Sequence, residues 1–120
     1  MKTIFAYALI VTSMFCNLAQ AESVYKVAAE AGNRVLGPNN LDTAKLLNDW
    51  AHLCFRQGKY GEAETLYKWA LASTEGAAGA DDPLVAACLQ DYAAVLRKLN
   101  RAGEADQMES RARTILSGAH

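Results

Sequence analysis

Sliding this 120-residue chain against itself by forty-two positions brings matching residues together between columns Gly37/Gly79 and Leu71/Arg113. The matched columns include Gly37/Gly79, Ala44/Ala86, Leu47/Leu89, Asp49/Asp91, Ala51/Ala93, Glu62/Glu104, Ala63/Ala105 and Ala70/Ala112. A fixed period of this length means that one supersecondary unit is used more than once, each copy covering a face that its neighbour cannot bury alone. The same shift lays "VYKVA" (24–28) onto "LYKWA" (66–70), so the unit is present as a half copy followed by two full ones. That divides the chain into a half repeat at 22–36, a repeat at 37–78 and a repeat at 79–116.

Within each unit the apolar residues recur at three- and four-residue spacing, as in Leu46, Leu47, Trp50, Leu53 and Cys54, and no stretch alternates as a half-buried strand does. The fold class is therefore all-α. Gly, Asn and Pro fall together at "LGPNN", "QGKYG", "EGAAGADDP" and "LNRAG", which are the places for helices to stop. Asn40 is placed to cap one helix, and Asp82 precedes Pro83, whose missing N–H is harmless in a first turn. Five helices are predicted, near 23–35, 41–57, 60–75, 83–99 and 102–116.

Against this pattern, the run "LLNDWAHLCFRQGKYGEAETLYKWAL" resembles a tetratricopeptide repeat, in the forty-two-residue form typical of the kinesin light chain. Leu47, Trp50, Ala51, Ala63, Tyr67 and Ala70 fall on its signature positions, and "LGPNN" and "GADDP" look like its linker. The second full copy keeps Leu89, Tyr92, Ala93, Leu96, Ala105 and Ala112 but carries Ala102 and Glu109 where the pattern has aromatics. From one copy to the next Tyr67 becomes Glu109, Trp69 becomes Arg111 and Leu71 becomes Arg113, which reads as a polar terminal cap on an α-solenoid of helical hairpins.

The first twenty-one residues differ in kind: a lone Lys2, an uncharged run from Ile4 to Cys16, and Ala19-Gln20-Ala21. This is the plan of a secretory signal peptide, too short in its apolar part to span a bilayer, with the mature domain starting at Glu22 and running to residue 120. The expected location is periplasmic or secreted, with no membrane attachment after cleavage. Loss of Lys2 leaves eleven basic against thirteen acidic residues, and the cations are scattered, so nothing points to nucleic acid.

Chemistry has little to work with. Glu62 and Glu64 stand two apart and diverge on a helix, and the resemblance puts them on the solvent side of Ala63. His52 and Cys54 have the wrong spacing to share a metal, and no nucleophile or phosphate motif occurs, so no catalytic residue, metal or cofactor is expected. Cys54 and Cys88 lie about 12 Å apart along parallel helices, too far for the ~7 Å that a disulfide tolerates, and are expected as free buried thiols.

The resemblance implies a protein or peptide partner held on the concave side, lined by the first helix of each pair. Its residues would be Lys45, Asn48, Asp49, His52 and Arg56 from one copy and Gln90, Asp91, Ala94, Arg97 and Lys98 from the next. Asn48 and Gln90 would hydrogen-bond an extended backbone, and Arg56, Arg97 and Lys98 would meet acidic groups. The half repeat lacks the helix that would cover Tyr25 and Ala28, so the alternative reading is a self-associating unit that uses this face; a third is an accessory subunit of a larger complex.

Overall fold

The computed structural model describes residues 23–118. The leader and its cleavage point lie outside them. Five helices make up the described chain: α1 over 23–35, α2 Leu41–Arg56, α3 Tyr60–Ala78, α4 Pro83–Lys98 and α5 Ala102–Ser117. There are no strands among the described residues. From α2 onward each helix packs on its sequence neighbour, giving two antiparallel hairpins, α2/α3 and α4/α5, with α3 and α4 joining one to the other.

The helix starts follow their capping chemistry. Asn40 Oδ1 accepts from the backbone N–H of Asp42 at 2.8 Å and of Thr43 at 3.3 Å, and the Asp82 carboxylate accepts from Leu84 N–H at 2.9 Å. The turns inside the two hairpins repeat each other at the sequence period. Lys59 N–H donates to Cys54 C=O at 2.9 Å and Arg101 N–H to Leu96 C=O at 2.8 Å, forty-two residues on. Both turns need a left-handed residue, supplied by Gly58 at φ 78° and by Asn100 at φ 61°. Asparagine is one of the few residues that reach this region cheaply.

One boundary departs from expectation. Gly76 does not end α3, which runs three residues past the predicted 75 to Ala78. Gly inside a helix costs only about 1 kcal/mol, which the good helix formers Ala77 and Ala78 and their packing can offset. The stop comes at Gly79, whose φ of 96° takes the backbone out of the helix. A side chain at 76 would collide with Asn39 of the incoming linker, since a Cβ there would sit 2.2 Å from its Oδ1.

The core is continuous through the stack. Leu47, Ala51 and Cys54 of α2, Ala63, Leu66, Tyr67 and Ala70 of α3, and Tyr92, Ala93, Val95 and Leu96 of α4 form one cluster, to which α1 contributes Ala29 and α5 Ala105. A smaller cluster of Val85, Ala86, Leu89, Ala112 and Ile115 closes α4 on α5. Alanines occupy the crossing points because a Cβ alone lets two helix axes approach, and the large residues Leu47, Tyr67 and Leu89 fill the space on either side.

α5 buries only Ala105, Ala112 and Ile115. Its polar replacements are used to hold it down. Glu109 and Asp106 take the Arg97 guanidinium, each at 2.8 Å, and Arg111 reaches Glu75 of α3 at 2.8 Å.

Glu64 also corrects the sequence reading. It is not a solvent-side bystander: its side chain is 15% exposed and joins Arg101, in the α4/α5 turn, and Lys68. The paired helices bring Arg101 to a carboxylate thirty-seven residues away, a contact that spacing along α3 could not show.

Candidate functional site

Residues of α2 and α4, with α3 beneath them, line a channel. One part of it is a cleft of about 360 Å³ lined by Leu41, Asp42, Ala44, Lys45 and Asn48 of α2, by Leu84, Ala87 and Cys88 of α4, and by Thr74 of α3. The walls are largely apolar. Cys88 and Thr74 meet there, Sγ to Oγ1 at 3.7 Å, while Thr74 Oγ1 also donates to Ala70 C=O at 2.7 Å. Burial pushes the Cys88 thiol up from its ordinary value, so it is a packing group rather than a nucleophile.

Further along the channel a recess of about 70 Å³ is formed by His52, Phe55, Tyr67, Asp91 and Ala94. Asp91 is half-buried there, and burial raises its carboxyl above the usual carboxylate range. The nearby His52 and a hydrogen bond from the Asn48 amide pull the other way. Asn48 therefore stands between the cleft and the recess, with its amide turned to Asp91 and its Oδ1 buried without a hydrogen-bond partner. The Tyr67 hydroxyl is driven upward by burial and then by Asp91, and stays neutral.

The residues expected on this face divide. Lys45, Asn48, His52 and Asp91 line the channel, and Ala94 with them. Arg56, Asp49 and His52 border a different hollow of about 420 Å³, shared with Leu53 and with Tyr25 of α1. Gln90 is exposed about 100° round the helix from Asp91, so it does not continue the line that Asn48 begins. Lys98 is exposed in the last turn of α4. Arg97 is held by Asp106 and Glu109 of α5 rather than left open to a ligand.

Sequence reasoning missed Thr74, Leu41, Leu84 and Ala87 as lining residues. The forty-two-residue shift pairs Lys45 with Ala87, which does line the cleft, but Asn48 with Gln90, which does not, so it carries α2's channel face onto α4 only in part. In a stack each first helix faces its successor with one side and its predecessor with another, and only α2 has a successor among the described residues.

Tyr25 and Ala28 are half-buried, and the exposed large apolar side chains of α1 are Val24, Val27 and Val35, which are 66%, 63% and 80% exposed. Among the described residues no group of three or more His, Cys, Asp or Glu is placed to hold a metal, and no helix is long and apolar enough to cross a membrane. Cys54 and Cys88 are both buried, and neither is in a disulfide.

A stack of helical hairpins with a channel along its first helices defines an α-solenoid of the interaction-module kind. The chain belongs to the tetratricopeptide repeat family, whose model matches residues 11–76 and again 42–117. The two matches overlap through the first full repeat, and the first of them begins inside the stretch that reads as a leader. Repeats of this family generally mediate protein–protein interaction. No curated protein matched the sequence.

Proposed function

We propose that this protein is an exported, non-catalytic module that holds a peptide segment, or an extended part of a partner protein, in the channel between α2 and α4. The observation that carries this reading is the apolar cleft of about 360 Å³ between α2 and α4, with the polar Asn48 among its lining residues. Asn48 stands where the repeats of the kinesin light chain type place a backbone-binding asparagine, which supports the same use.

The test fills the cleft instead of deleting a contact. Proteins captured by the wild type from extracellular or periplasmic extract are compared by mass spectrometry with those captured by Ala87→Trp and by the remote variant Gln107→Ala. Loss of the same proteins with Ala87→Trp alone supports channel recognition; identical capture by all three overturns it. Export rests on the leader-like residues 1–21, and N-terminal sequencing of protein recovered from cells should begin at Glu22. A first residue upstream of that would place those residues in the functional protein.

A second reading, self-association, is favoured by the valines of α1, which make an apolar stripe at helical spacing. If it holds, a concentration-dependent dimer will be seen by sedimentation and lost on Val27→Glu, while Tyr25 and Ala28 serve mainly to seat α1 on α2.

A further inference from the structure

Resting on the reading that the α2/α4 channel holds an extended segment, the geometry also states which segment fits. We propose that the channel selects an apolar side chain and, two residues from it, a basic one: the apolar group enters the cleft walled by Leu41, Ala44, Leu84 and Ala87, and the cation meets the Asp91 carboxylate.

Three observations lead there. First, Asp91 is half-buried in the channel where the charged Asp42 and Lys45 are exposed, and among the described residues no lysine or arginine pairs with it. Its near neighbours on α2 are neutral or weakly basic, Asn48 and His52, and on α3 the neighbour is the neutral Tyr67. A half-buried carboxylate with no lysine or arginine beside it is costly and is stabilised strongly by a cation that arrives in a ligand. Secondly, the rim does not favour an acidic ligand. Arg97 is held by α5, and Lys45 shares the cleft wall with Asp42 one turn earlier on the same helix.

Thirdly, the spacing fits an extended chain. From the part of α4 that walls the cleft, Leu84 to Cys88, to Asp91 is about one to two helical turns, roughly 5–10 Å at 1.5 Å per residue. An extended peptide covers about 6.6 Å in two residues and points both side chains the same way. Asn48 lies between the two, lining the cleft and hydrogen-bonded to Asp91.

The test selects a display library of random seven-residue peptides on the purified full chain, on Asp91→Asn and on Ala87→Trp. Lys or Arg enriched two positions from Leu, Ile, Met or Phe on the wild type supports the proposal. Asp91→Asn should then bind a representative winner about tenfold or more weakly and show no preference for basic residues. Its thermal midpoint should be unchanged or higher, because a carboxamide keeps the shape and removes the buried charge. Winners that are acidic or indifferent to charge, yet lost on Ala87→Trp, overturn the choice of ligand and leave channel binding intact. Winners that bind Ala87→Trp as well as the wild type, or the absence of any winner, overturn both.

Discussion

At the scale of single residues, the small side chains are as specific as the large ones. Ala93 is fully buried at the meeting of α4 with its neighbours, where a longer side chain has no room. Ala93→Leu is expected to lower stability by about 1–3 kcal/mol, read by urea denaturation, even though it adds apolar surface. Asp91 makes the opposite kind of prediction. Its carboxyl is raised in the folded protein, so the fold takes up this proton more readily than the unfolded chain does. Its contribution therefore favours folding at pH below the raised value and is lost as pH rises through it. Relative to Asp91→Asn, the wild type should gain stability as pH falls into the carboxylate range and have no advantage near neutrality; a stability difference flat with pH would contradict the burial of this group. The two thiols offer a third check. Cys54 is fully buried and Cys88 nearly so, with burial raising the latter's pKa, so both should react slowly with a thiol reagent until the protein is unfolded.

Elements here are made by local signals that agree with the packing. Asn40 supplies two acceptor contacts to the start of α2, and Asn40→Ala should cost about 1 kcal/mol in thermal or denaturant unfolding without altering the channel. The hairpin turns show how little sequence identity a conserved shape requires. Gly58 and Asn100 are different residues in equivalent positions, and they share the left-handed backbone and the same pair of turn hydrogen bonds. Asn100→Val should therefore loosen the α4/α5 hairpin more than Asn100→Gly, since a β-branched residue is strained at positive φ. α5 differs from α3 in the way it is held. α3 buries side chains against both neighbours, whereas α5 has one apolar side and a polar one pinned by Arg97 and Arg111.

For the whole molecule, the stack has two ends with different chemistry. The α5 end is polar, while α1 carries exposed valines, so an assembly of copies would begin at the α1 end. Repeat stacks draw their stability from the interface between neighbours. A change such as Ala93→Leu, at the joint of α3 and α4, should thus weaken both hairpins together, and a single unfolding transition by far-UV circular dichroism and by tryptophan emission would show that Trp50 and Trp69 melt with the rest.

Much of this was legible in the chain before any coordinates. The forty-two-residue period, the three-and-four spacing and the cap residues determined the all-α class, the number of helices and most of their ends, because each is a local property of backbone and side-chain spacing. That α2 and α4 would line a groove came from the family resemblance and not from the period. Tertiary structure decided the rest. It turned Arg97 away to α5, brought Arg101 to Glu64, extended α3 past Gly76, and set Asn48 against Asp91 with an acceptor to spare. A repeat in sequence records what each copy shares, whereas a site is made where two copies differ in what lies next to them, and that depends on the distance between residues far apart along the chain.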